Sequence, residues 1–307
     1  MWGLNVSLRY RMKRHLDLLI AVVAPLIWGS TYVVTTELLP PNYPVTVAML
    51  RALLAGLVLL VLVRQLPWGV WWGRSVILGI LNFSFFFVML FVAAYRLPGG
   101  VAATVGAVQP LIVVALSRLI LRSTVHVLSF VAAVAGVFGV ALMVLTPQAT
   151  LDTTGVLASL AGAVSMALGT VLSHHWRPPV SALTFSAWQL TIGGLLLIPV
   201  AWLLEPPLPA LTLSHITGLL YLSLIGAAFA YVLWLRSLAV LNPPLVASLS
   251  FLSPVVAVIL GWLLLNQRLT LTQGIGMVVV IGSVWLSRHA QFRSVVRAAA
   301  ASNRPPQ

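Results

Sequence analysis

Four polar side chains lie inside long apolar runs of this 307-residue sequence: Arg51, Asn82, Gln109 and Gln189. A polar group held among apolar ones costs free energy unless it meets a partner or a wet cavity, so these positions are where the chain can do chemistry. That chemistry is recognition. Amides and a guanidinium exchange hydrogen bonds with a solute, but no catalytic pair of Ser with His or of two carboxylates accompanies them at one depth. The absence of Cys excludes disulfides and thiol chemistry. His174-His175, beside a loop, is too little for a metal site. The sequence therefore leads us to expect no catalytic residue, no metal and no cofactor.

Aromatic residues accompany the polar ones at helical spacing. Trp28 and Tyr32 are four apart, and Tyr231 and Trp234 are three apart, so each pair shares one face of a helix and forms a wall suited to aromatic or apolar solutes. Phe86 and Met89 fall on or beside the face of Asn82, which suits an amphipathic solute. An Asn that hydrogen-bonds a neighbouring helix explains the same residue, and both readings stay open. Gln109 precedes Pro110, which removes a backbone donor, frees a carbonyl near Gly106 and kinks the helix; Ser253-Pro254 repeats the device. Pro110 and Pro254 are accordingly candidate hinges, or they shape the cavity. Arg51, in the outer third of its apolar run, can pair with a substrate carboxylate, snorkel outward or satisfy carbonyls at a helix end, and structural use is favoured. The candidate substrate-binding set is Trp28, Tyr32, Asn82, Phe86, Gln109, Gln189, Tyr231, Trp234 and Ser250. Trp68, Trp71, Trp72 and Trp285 read instead as interfacial anchors. Gly155, Ser159, Ala163 and Ala167, recurring every four residues, read as close helix packing.

The elements that must position these residues follow from composition. With 61% hydrophobic residues, 7% charged residues and a mean hydropathy of +1.07, the chain cannot bury its apolar surface in one water-soluble core. About 20 helical residues cross a hydrocarbon layer of roughly 30 Å. Ten such windows are legible, at 16–36, 45–63, 76–95, 101–121, 126–145, 154–173, 182–204, 215–235, 245–265 and 271–287. Short connections marked by breakers such as Pro40-Pro41, Pro178-Pro179, Pro206-Pro207 and Pro243-Pro244 leave no room for a soluble domain.

Lys and Arg near span ends are retained on the cytoplasmic side. Fourteen of the seventeen basic residues fall on one side of the ten windows, Arg96 and Arg268 fall on the other, and Arg51 lies within a span. This places both termini in the cytoplasm. A net charge of +13 raises the question of nucleic acid, but no basic groove or aromatic-interleaved basic run exists, and attraction to anionic inner-leaflet lipid explains the same residues. The basic residues of 1–15 precede an apolar run too long for a signal peptide and without a cleavage site, so an uncleaved first span is expected. The segment 288–307 reads as a mobile cytoplasmic tail.

The sequence repeats itself. Residues 46–64 resemble 184–202 at an offset of 138, matching Arg51 with Gln189 and Gly56 with Gly194. From about Val101 the offset is 144, matching Ala103 with Ala247 and Gln109-Pro110 with Ser253-Pro254. An odd number of spans per unit makes the second unit enter from the opposite face. The expected fold is thus an all-α polytopic membrane protein of ten transmembrane helices in two inverted five-helix repeats. The first repeat takes residues 16–145 and the second 154–287, joined by an external linker at 146–153. Two inverted halves around one midplane site are a basis for alternating access.

Trp28-Gly29-Ser30-Thr31-Tyr32, Arg51-Ala52-Leu53-Leu54-Ala55, Gln109-Pro110, Ser253-Pro254, the stretch 263–270 and Gln273-Gly274, in this order, resemble the drug/metabolite transporter superfamily, specifically its ten-helix exporters built from two EamA-type repeats. The resemblance implies a central cavity built mainly by spans 1, 3, 4, 6, 8 and 9, and a substrate class of amino acids, small metabolites or drugs, with exporters of aromatic amino acids the closest likeness. Repeats of that family commonly carry Glu just before the loop into their last helix; here Gln267 and, by the offset, Ser123 stand there, so that acid's role does not transfer. The implied function is export of small amphipathic metabolites from a bacterial inner membrane by a monomer whose partners are its small-molecule substrate and membrane lipid. The alternatives are a lipid flippase and, further off, an intramembrane enzyme. Proton-driven transporters generally place Asp, Glu or His within their spans. All four acids and all six His here are peripheral, which favours facilitated efflux or exchange.

Overall fold

The computed structural model describes residues 16–97, 102, 105–123, 127–144, 152–264 and 270–302, and all regular structure among them is helical. The basic residues at 9–14, Ala103, most of the expected linker, Gln267, Arg268 and Arg304 lie outside the described residues. In chain order the helices are α1 (Leu16–Leu38), α2 (Pro44–Val63), α3 (Val70–Arg96), α4 (Gln109–Ile120), α5 (Val127–Val144), α6 (Thr153–Trp176), α7 (Ala182–Leu204), α8 (Leu213–Val240), α9 (Pro243–Leu264) and α10 (Leu271–Ser302). Eight of them are long and apolar enough to cross a membrane; α4 and α5 are the shorter two. They occupy the places of the expected fourth and fifth spans.

Two boundaries differ from the sequence expectation for local reasons. Gly69, at φ 49°, lets the chain turn directly into α3, which starts at Val70 rather than near 76. Trp71 thereby joins a helix and is buried edge-on against Phe185 at 6.1 Å between ring centres, a packing role where an interfacial one was expected. At the other end, α10 continues to Ser302 rather than stopping near 287, through an alanine run of high helix propensity.

The halves meet through glycines. Gly56 of α2 lies against the backbone of Thr191 in α7, and a Cβ on Gly194 of α7 would come within 2.6 Å of Leu53 Cα in α2. As one residue number rises the other falls, so the helices run antiparallel, backbone against backbone. The matching pair α5 and α10 is built likewise, with a Cβ on Gly139 falling 3.0 Å from the carbonyl oxygen of Gly276.

Other contacts repeat across the halves. Gly29 of α1 packs on Val256 of α9, and Ala167 of α6 shares one apolar cluster with Val113 of α4, against which Ile112 also packs. Residues 29 and 167 stand 138 apart, and 112 and 256 stand 144 apart, as the two offsets require. Ion pairs repeat too: Arg96 with Asp152 at 3.7 Å joins the end of α3 to the start of α6, and Arg236 with Asp17 at 3.3 Å joins the end of α8 to the start of α1. They clasp opposite faces of the bundle, and being partly exposed they contribute little to stability. The change of offset falls around the connection 205–212. Its first residue, Glu205, accepts hydrogen bonds from Val45 N at 2.7 Å and Thr46 N at 2.8 Å. A carboxylate there satisfies orphan amides at the positive end of α2.

Gly56→Ala drives a methyl group into the α7 backbone and is expected to destabilise the protein by about 1–3 kcal/mol. Gly73→Ala, where a Cβ would meet nothing within 4 Å, is its control. Thermal unfolding in detergent compares them, and equal melting temperatures would refute the glycine contact.

Candidate functional site

Both α3 and α8 contain a widened, π-helical stretch, Ile80–Ser84 and Tyr221–Phe229. In such a turn an amide bonds five residues back: Phe85 N donates to Ile80 O, and Ala230 N to Ile225 O. The next carbonyl loses its usual helical donor and needs another. Leu81 O accepts from Ser165 Oγ of α6 at 2.7 Å. Gly226 O accepts from Trp28 Nε1 of α1 at 3.0 Å and from Arg51 Nη2 of α2 at 3.1 Å. Each half thus satisfies the other's opened helix. These stretches carry no signature that hydropathy or helical periodicity would register.

Between the halves lies a cavity of about 140 Å³, several times the 10–15 Å³ that one water needs. Trp28, Thr31 and Tyr32 of α1, Phe86 and Leu90 of α3, Tyr231 of α8 and Ser250, Ser253 and Pro254 of α9 line it. Ala102, Gly106, Ala107 and Gln109, at and before the start of α4, complete one side. From α6 come Ala158, Ser159, Gly162, Ala163 and Met166, so part of the small-residue stripe read as packing also opens space. The lining draws on all six helices named by the resemblance, and α2 adds Arg51.

An aromatic cluster reaches the cavity through Trp28 and Tyr231. Trp28 lies 4.9 Å from Tyr231 and 5.0 Å from Trp234, and Phe83 and Phe87 pack on Tyr231 at 4.6 and 5.9 Å. Tyr231 and Phe87 stand 144 apart, so counterparts of the two halves touch at the pseudo-twofold axis. Tilted and edge-on contacts of this kind add about 0.5–1.5 kcal/mol each beyond area burial.

Of the candidate residues, Trp28, Tyr32, Phe86, Gln109, Tyr231, Ser250 and Pro254 come together around the cavity. Trp234 stands behind Trp28 in the aromatic cluster. Pro110 is buried one residue past the lining. Asn82 and Gln189 lie outside the lining: Asn82 Nδ2 donates to Gln189 Oε1 at 2.8 Å and to Ser173 Oγ at 3.2 Å, tying α3 to α7 and α6. This is the helix-bridging reading of Asn82. It is also the counterpart of the bond from Arg51 to Gly226, since 51 and 189 are 138 apart and 82 and 226 are 144 apart.

Asn82→Ala leaves the Gln189 amide buried without its partner and is expected to cost about 1–3 kcal/mol, whereas adding Gln189→Met to it restores part of the loss. Melting temperatures of the two variants decide this, and no recovery in the double variant would contradict a direct pair.

Comparison with known proteins fits this geometry. The model of the EamA-like transporter family matches residues 16–145 and again 153–288. Protein PecM of Dickeya dadantii is 46% identical over 266 residues, covering 86% of this chain and 89% of its own. The uncharacterized inner membrane transporter YedA of Escherichia coli K12 is 28% identical, over 85% of this chain and 87% of its own. A crystal structure superposes with a TM-score of 0.77 over 91% of this chain and 98% of its own, at 19% identity, a likeness of fold alone. The chain is an integral membrane protein with several apolar helices, and by the double match it belongs to the EamA-like transporter family.

Proposed function

We propose that this transporter exports small amphipathic metabolites, amino acids including aromatic ones among them, by alternating access around the cavity between its halves. The observation that carries the reading is the convergence of Trp28, Tyr32, Phe86 and Tyr231 from three helices of both halves onto one cavity. An aromatic solute gains both apolar burial and ring contacts against such walls. In this reading Trp28, Tyr32, Phe86, Gln109, Tyr231 and Ser250 touch the solute. Asn82, Gln189 and Trp234 hold the wall behind them. Pro110 and Pro254 serve as hinges.

The working unit is a monomer of two EamA-type repeats, 16–145 and 154–287, in a bacterial inner membrane with both termini cytoplasmic. The skew of Arg and Lys toward one face supports that orientation. No acid lines the cavity: Asp17, Glu37, Asp152 and Glu205 are the chain's four acids and all sit at or beyond helix ends. Movement down the solute's own gradient, without protons, follows from that.

Phenylalanine efflux from proteoliposomes is the test. Phe86→Ala should raise KM for phenylalanine about tenfold, the equivalent of one lost aromatic contact, and should leave alanine efflux largely unchanged. Collapsing the pH gradient should alter neither rate. Phenylalanine moving no faster than through empty liposomes would refute the substrate reading, and strict proton dependence would refute the coupling.

A further inference from the structure

Arg51 has more donors than the fold uses. Its side chain reaches the cavity from α2 and is only 1% exposed. One nitrogen, Nη2, donates to Gly226 O, and the guanidinium carbon lies 4.4 Å from the centre of the Phe87 ring and 5.9 Å from that of Phe91. Nε and Nη1 are buried and have no acceptor among the described residues. No acid of the chain supplies one. Asp17 and Asp152 pair with Arg236 and Arg96, Glu205 caps α2, and Glu37 is exposed at the end of α1.

A buried charge with free donors is costly unless something compensates it, and the other half shows that the fold does not require one. At the position matching Arg51 stands Gln189, a neutral amide, and it makes the equivalent bridge to α3 through Asn82. A bridge alone therefore needs no cation. What the guanidinium adds is charge and surplus donors beside the cavity, the groups that bind a planar anion. Among the described residues no other Arg or Lys lines the cavity, and its walls are otherwise mostly apolar. One positive charge in an apolar chamber matches a singly charged group better than a phosphate dianion. Gln109 Nε2, buried on the same cavity and also without an acceptor, offers a further donor.

We infer that Arg51 is the anion anchor of the cavity and holds the carboxylate of the solute, selecting carboxylates over their neutral amides. The inference rests on the cavity being the solute site. The apolar ring of an aromatic carboxylate then lies against the aromatic walls while its charged end meets Arg51.

Equilibrium binding to the detergent-purified full-length chain tests it with two probes, phenylacetate and its neutral analogue phenylacetamide. R51Q copies the residue of the other half and keeps a bridge donor; R51K keeps the charge and loses the planar fork. The expected result is tenfold or greater weakening of phenylacetate binding in R51Q, a smaller loss in R51K, and unchanged phenylacetamide binding in both, about the effect of losing a charge-assisted hydrogen bond. Thermal unfolding confirms that each variant is folded, and R51K stands as the second variant where R51Q fails to fold. Equal weakening of both probes, no weakening of either, or no phenylacetate binding by the unaltered chain overturns the inference. Phenylalanine efflux separates it from the substrate reading. A chain that binds phenylacetate through Arg51 but moves no amino acid retains the anchor and loses the amino-acid assignment.

Discussion

The contact of α2 with α7 through Gly56 and Gly194 is the constraint on which the remaining geometry depends. Bilayer hydrocarbon gives helices little hydrophobic reason to associate, so close backbone packing and interhelical hydrogen bonds must hold them. Bringing these two backbones together sets Arg51 on one side of the pair and Gln189 on the other. Each then faces the opened helix of a neighbour: Arg51 faces Gly226 of α8, and Gln189 faces Asn82 of α3. Polar groups that would be a liability in hydrocarbon thereby become the fastening between the halves.

The frame is repeated, but its filling is not. Where α8 supplies a bare glycine carbonyl to a guanidinium, α3 supplies an asparagine side chain to an amide. Gly169 of α6 makes room for that asparagine, whose Oδ1 lies against it. The first arrangement leaves charge and donors at the cavity wall; the second is a neutral bridge outside the lining, with Asn82 Oδ1 buried and unpartnered. A pseudo-symmetric scaffold can thus put a charged group at the cavity on one side and a neutral bridge away from it on the other with no change in helix order.

Much of the architecture was legible in the sequence because hydropathy and proline placement act over whole helices. The inverted halves showed as offsets of 138 and 144, and the structure places Arg51 and Gln189, and Gly56 and Gly194, in equivalent contacts. The aromatic pairs Trp28 with Tyr32 and Tyr231 with Trp234 were legible from spacing, and three of the four line the cavity. The division of labour between polar residues was not. Asn82 and Gln189 bond each other across 107 positions of chain, and local patterns carry no information about such a partner. Arg51 owes its surroundings to carbonyls released by widened turns in α8, which neither composition nor periodicity signals. Trp71 was misplaced because the start of α3 depends on one glycine with positive φ rather than on hydropathy.

The unequal filling extends to the walls. Met166 and Leu90 line the cavity where their counterparts in the other half, Trp28 and Trp234, stack in the aromatic cluster. Two indoles meet at one place, while a thioether and an aliphatic chain hold the symmetry-related positions. If the halves exchange shapes, the two resulting states are chemically unlike and cannot be isoenergetic. One resting state would then be favoured by the protein itself, while the direction of net movement stays with the solute gradient.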